Sequence, residues 1–235
     1  MARSKIDPLA ELLPALESRA DSKRAVGEKK YLKSDLCFLG VTVPKIRKVA
    51  KEFAKAPLLR DDLVAITEAA WMTDVHELRS VSIALLALRN DAMQAKDIRL
   101  LERLLNKANT WAHVDWLAIS VAGPLVERYA TVRKRLDRWA THENFWLRRS
   151  ALLALLEPLR RGEGDFLRFE RYASPMLQEK EFFIRKAIGW VLREVSKKKP
   201  ELTAEFVNRH RTQLSGLSYR EGTRRLSSDW KKKLQ

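Results

Sequence analysis

Apolar positions recur at three- and four-residue spacing along nearly the whole chain, the period of an amphipathic helix. In PKIRKVAKEFAK (44–55), Ile46, Val49 and Phe53 fall on one face, and Pro44 occupies a first-turn position where its missing N–H costs nothing. Asp61 and Asp62 open DLVAITEAAW, Asn90-Asp91 end a helix built on Leu78 to Leu88, and Asn109-Thr110 precede WAHVDWLAISVAGPLVERY (111–129). Ser218 and Glu221 have the spacing of a capping box. No segment alternates with β-branched enrichment, so the expectation is all-α.

The predicted helices also resemble one another. HELRSVSIALLAL (76–88), FWLRRSALLALLE (145–157) and FFIRKAIGWVLRE (182–194) each carry an aliphatic–Arg pair followed by a long apolar face. A degenerate copy places Val114-Asp115 at the same point, so the aliphatic residue recurs at 78, 114, 147 and 184. Spacings near 35 residues imply an α-solenoid of HEAT-like or armadillo-type repeats, in which stacked neighbours bury faces that no single unit buries alone. One domain over 1–235 is expected, with 1–30 as an N-terminal capping helix, 222–235 as a basic C-terminal tail, and a curved, basic concave face.

Composition narrows the partner. The chain has 46 Lys and Arg against 30 Asp and Glu, a net charge of +16, which favours a polyanion such as nucleic acid. A single cysteine, Cys37, excludes a disulfide framework and sits in an apolar CFLG stretch, where a buried hydrophobe is expected. The four histidines show no paired ligand spacing, so no metal site is expected. The N-terminus lacks the apolar run of a secretory signal, and no stretch approaches the roughly 20 residues of a membrane helix. A cytosolic protein without membrane contact is expected.

The repeat register singles out one carboxylate. After the aliphatic residue the chain reads Arg79-Ser80, Asp115-Trp116, Arg148-Arg149 and Arg185-Lys186, so Asp115 stands alone among cations. On repeat geometry that arrangement favours a structural Asp–Arg ladder between repeats; the alternative is a carboxylate aimed at a cationic substrate. Trp111 lies one helical turn before Asp115, and indole faces bind cations. Trp71, Trp139 and Trp146, on Leu-rich faces, are assigned to packing.

At these residues the chain resembles the AlkD-like alkylpurine DNA glycosylases, repair proteins built from HEAT-like repeats. The resemblance runs through YLKSDLCFLGVTVPKIR (31–47), Trp111-x-x-x-Asp115, NFWLRR (144–149) and KEFFIRKAIGWVLRE (180–194). It implies a catalytic group of Asp115, Trp111 and Trp190. It further implies DNA contacts by Arg149, Tyr31, Arg148, Lys186 and Arg193. The implied activity is monofunctional hydrolysis of the N-glycosidic bond of N3- and N7-alkylated purines, such as 3-methyladenine and 7-methylguanine, at the start of base excision repair. A monomer acting on double-stranded DNA in the bacterial cytosol or nucleoid is implied, without cofactor or metal. The rival expectation is a non-catalytic HEAT-like module that binds damaged or branched DNA or a protein.

Overall fold

The computed structural model describes residues 9–234. Among these the regular structure is helical, and extended backbone pairs only at one isolated bridge, Cys37 with Val75. The chain gathers into two compact units divided between Leu117 and Ala118. The first holds α1 (Leu12–Glu17), α2 (Ser22–Leu32), α3 (Val43–Phe53), α4 (Arg60–Met72), α5 (His76–Leu88), α6 (Ile98–Asn106) and α7 (Trp111–Trp116). The second holds α8 (Gly123–Arg128), α9 (Ala130–Trp139), α10 (Phe145–Leu153), α11 (Leu156–Arg161), α12 (Phe166–Met176), α13 (Phe182–Val195), α14 (Pro200–Arg209), α15 (Gly216–Thr223) and α16 (Ser228–Lys232). The all-α helical-repeat expectation holds.

The repeated aliphatic–Arg pair has a repeated structural task. Arg79 donates through Nε and Nη2 to the Thr73 carbonyl at 3.0 and 2.7 Å, Arg148 through Nη1 to the His142 carbonyl at 2.6 Å, and Arg185 through Nε to the Glu179 carbonyl at 2.7 Å. Each arginine reaches back six residues, to the turn that precedes its own helix. The aliphatic partners Leu78, Val114, Leu147 and Ile184 are all essentially fully buried. The register therefore couples a core anchor to a turn clamp, and Asp115 stands where the clamp would be.

Three local expectations are corrected. The helix expected over 111–129 breaks into α7, a π-helical turn at Leu117–Ala122, and α8, whose second residue is Pro124. Proline cannot donate to the carbonyl four residues earlier, and a π turn accommodates that lost bond. The cap of α15 is Ser215, which accepts from the Ser218 N–H, while the Ser218 hydroxyl turns to the Arg185 carbonyl at 2.9 Å. Ser218 is thus one position too deep to cap, and Glu221 is engaged elsewhere. Cys37 is exposed rather than buried. It lies on an extended segment where Leu36 points inward, and alternation turns its thiol out.

The first unit contains a buried carboxylate that shapes the entry to α3. Glu77, fully buried, accepts from the backbone N–H groups of Leu39, Gly40 and Val41 at 2.9, 2.7 and 3.2 Å. Gly40 adopts a positive φ of 78°, and a Cβ there would lie 2.1 Å from the Asp21 carbonyl oxygen. Glycine is required at this turn by both backbone conformation and space.

Candidate functional site

Helix α7 starts on Thr110, whose side chain accepts from the Ala112 N–H. This places Trp111 in the first turn and Asp115 one turn later on the same face. Asp115 is 9% exposed and Trp111 is half-buried. The ring of Tyr31, 71% exposed, meets the Trp111 indole edge-on, with centroids 5.7 Å apart. The structure thus brings Tyr31, Trp111 and Asp115 into one neighbourhood of the first unit.

The inner side of α7 rests on a stack of neutral rings. His113 stacks on His76 with centroids 4.4 Å apart, and His76 stacks on Phe38 at 4.5 Å. His113 Nε2 lies 3.2 Å from the His76 carbonyl oxygen, which can only accept, so this nitrogen carries the proton. It also lies 3.1 Å from Ser80 Oγ, whose hydroxyl is left to donate to His76 Nε2 at 3.4 Å. Burial, with the nearby Arg79 charge, pushes His76 down to about 4. Burial and the His76 and Arg79 charges hold His113 well below the usual range, against the opposing bond to the His76 carbonyl. Both imidazoles are neutral at pH 7.

The sequence shows these two histidines at no ligand spacing. Their separation of about one repeat is the signal that brings equivalent positions of neighbouring helices together. Arg47, which ends one of the stretches that carry the resemblance, also lies beside α7. Its guanidinium lies over the Trp116 ring, 5.4 Å from the centroid, and its side chain is exposed.

The second unit carries the remaining expected residues. Arg148 is the most committed: besides its clamp it donates to Glu179 through Nε and Nη2 at 2.9 and 2.7 Å, and to the Glu143 carbonyl. Arg149 is 4% exposed, donates to the Phe183 carbonyl, and lies 5.7 Å from that residue's ring centroid. Lys186, Trp190 and Arg193 follow one another at helical spacing on a single, partly exposed face of α13. Lys186 and Arg193 both bind Glu221 of α15, Lys186 at 3.1 Å. Burial raises Glu221, but its bond to Lys186 and the charges of Lys186, Arg193 and Arg224 outweigh that and hold it below the usual carboxylate range.

A glycine makes that last arrangement possible. A Cβ on Gly189 would lie 2.6 Å from the Glu221 Cβ, so α13 and α15 approach closely only because position 189 is bare. Among the described residues no cluster of three or more His, Cys, Asp or Glu side chains is placed to hold a metal ion. No described helix is long and apolar enough to cross a membrane.

Comparison with known proteins agrees with the resemblance seen in the sequence. No curated protein matches the chain. Among solved structures, a protein described as a predicted DNA alkylation repair enzyme from Enterococcus faecalis superposes with a TM-score of 0.79 at 25% identity, covering 89% of this chain and 98% of that one. AlkD2 from Streptococcus mutans shares the fold, with a TM-score of 0.63 at 16% identity over 87% of this chain and 100% of its own. The family model described as DNA alkylation repair enzyme matches residues 12–226. Over nearly all of its length, then, the chain belongs to the DNA alkylation repair enzyme family.

Proposed function

We propose that this DNA alkylation repair protein is a monofunctional glycosylase that hydrolyses the N-glycosidic bond of cationic N3- and N7-alkylpurines in duplex DNA. The observation that carries this reading is Asp115. It is a carboxylate one turn from Trp111, at the register position where three other repeats carry a turn-clamping arginine.

An alkylated purine is already positively charged and leaves without a strong general acid. Its departure breaks the bond from C1′ to the base nitrogen and leaves an oxocarbenium-like sugar. Water then adds at C1′ and gives up a proton, and the products are the free alkylated base and an abasic site. Asp115 stabilises the sugar cation or orients that water. At about 4 Å and an effective dielectric near 20, such an interaction is worth roughly 4 kcal/mol, or about a thousandfold in rate if it is confined to the transition state.

Trp111 offers an indole face to the cationic nucleotide, a contribution of about 0.5–2 kcal/mol. Trp190 in the second unit is assigned the same chemistry toward DNA. Tyr31, Arg148, Arg149, Lys186 and Arg193 are assigned to the sugar-phosphate backbone, which positions the duplex without reading sequence. Tyr31 is the freest of them and Arg148 the most tightly held by the fold. The protein is proposed to work as a monomer in the bacterial cytosol or nucleoid, without metal or cofactor.

Asp115→Asn provides the test. Release of 7-methylguanine from methylated DNA should fall by two to three orders of magnitude while duplex affinity is retained. An unchanged rate would assign Asp115 to the repeat ladder, and no release by the unaltered protein would favour a non-catalytic binding module.

A further inference from the structure

Helix α2 is a helix with little to rest on. Of its eleven residues only Leu32 is buried, with Ala25 and Glu28 half-buried. These three define its inner side at helical spacing. The opposite side is a ridge of Lys23, Gly27 and Lys30, flanked by Val26 and Tyr31, which are 73% and 71% exposed.

The charges on this helix are unlike those of the second unit. There, arginines are bound to carboxylates about one repeat away, as in Arg148 with Glu179 and Arg161 with Glu127. On and just after α2, Lys23, Lys29, Lys30 and Lys33 form no ion pair among the described residues. The acidic groups are already engaged: Glu28 pairs with Arg24 at 3.2 Å, and Asp21 caps the helix on the Arg24 N–H.

Gly27 sharpens the picture. Glycine is among the poorest helix formers, yet it occupies the centre of this helix. Its backbone is in an ordinary helical conformation, since the positive-φ residues are Lys33, Gly40 and Gly162. A Cβ added to it would meet nothing within 4 Å. Neither chain geometry nor internal packing requires glycine there, which leaves close approach by something outside the chain. A bare stretch of helix between two unpaired ammonium groups matches a bulky, negatively charged strand.

We infer that the Lys23–Gly27–Lys30 ridge of α2 seats a sugar-phosphate strand of duplex DNA. The lysines pair with phosphates and Gly27 lets the strand approach the helix backbone. This rests on the proposed DNA reading and extends it to a helix outside the predicted site, Tyr31 excepted. Such a contact adds affinity without sequence preference.

Two variants test it in salt titrations of binding to an unmodified duplex, read by fluorescence anisotropy. Lys23→Ala with Lys30→Ala should bind about 30-fold more weakly at 0.15 M salt, with a log–log salt slope shallower by about 1.8. Gly27→Ala should raise Tm by about 2–4 °C, because alanine favours the helix, yet weaken binding by about three- to tenfold with little change in salt slope. A more stable protein that binds less well is a result that lost folding cannot produce. If the wild type binds duplex DNA and either variant binds equally well, the seat on α2 is wrong. If the wild type itself shows no salt-dependent affinity for duplex DNA, the DNA reading fails, and this inference with it.

Discussion

The helices that carry the candidate residues are held in two different ways. In the second unit the ties are charged: Arg148 of α10 binds Glu179 in the turn before α13, and α13 is bound to α11 by Arg160 with Glu194 and to α15 by Lys186 and Arg193 with Glu221. In the first unit, α5 meets its neighbours through groups withdrawn from water: His76 and Ser80 contact His113 of α7 through the Nε2 side of each ring, and Glu77 captures the backbone N–H groups of the turn before α3. Both solutions join neighbouring repeats. Charged ties at partly exposed positions are individually modest and sensitive to carboxylate protonation. Buried neutral contacts are costly to break and sensitive to histidine protonation.

The largest effect expected from this contrast is at Glu77. Glu77→Ala leaves three backbone donors facing a buried void and should cost about 3–5 kcal/mol of stability, measured by denaturant unfolding. A cost below about 1 kcal/mol would mean that the Leu39–Val41 turn is held by other contacts.

Acid should then separate the two units. His76 has its folded-state value depressed from 6.5 to about 4, so the unfolded chain binds the proton first. The stability associated with the neutral ring is present above pH 6.5, falls as pH drops towards 4, and amounts to about 3 kcal/mol. Glu194 and Glu221 have depressed values, so their contributions persist above the ordinary 4.5 and are lost only as pH falls below it. For Glu194 burial acts the other way but is outweighed by Lys197, Arg160 and Arg193. Hydrogen exchange between pH 6.5 and 4.5 should therefore show peptides spanning 76–116 losing protection before those spanning 182–224. Simultaneous loss would contradict the distinction.

The smallest effect concerns a single charged tie. Glu179→Gln removes the charge opposite Arg148 but preserves shape and one acceptor, and should cost about 1 kcal/mol or less, shrinking further in high salt. Arg148→Ala should cost more, because the clamp on the His142 carbonyl is lost as well. Equal costs in thermal melts would mean that the clamp contributes nothing.

Much of the fold was legible because hydrophobic spacing and repeat spacing are properties of the chain itself. Leu78, Val114, Leu147 and Ile184 could be aligned by counting, and all are buried. What counting could not supply was the direction of side chains between aligned positions. The register shows which positions are basic but not that Arg79, Arg148 and Arg185 turn back to their own preceding turns. The histidine stack was hidden for a related reason: His76 and His113 are far apart in sequence, and adjacency of helices rather than ligand spacing unites them. The break near Pro124 was visible as a proline but not as a π turn, since the apolar pattern continues through it. Of the candidate site, the pairing of Trp111 with Asp115 was readable from a four-residue interval. The edge-on contact with Tyr31 was not, because four helices, α3 to α6, intervene in sequence.

A molecule built from copies owns spares. Three turns are stapled by the arginine that follows them, and the fourth copy of that position carries an acid instead. Because stability in a stacked array is largely a matter of nearest neighbours, a change at one such position is felt at its own turn and leaves the other staples untouched. The Thr110 cap supports the affected turn locally. Redundancy of scaffold thus lets one position depart from the pattern: a carboxylate stands in an arginine's place here while the other three turns keep their staples.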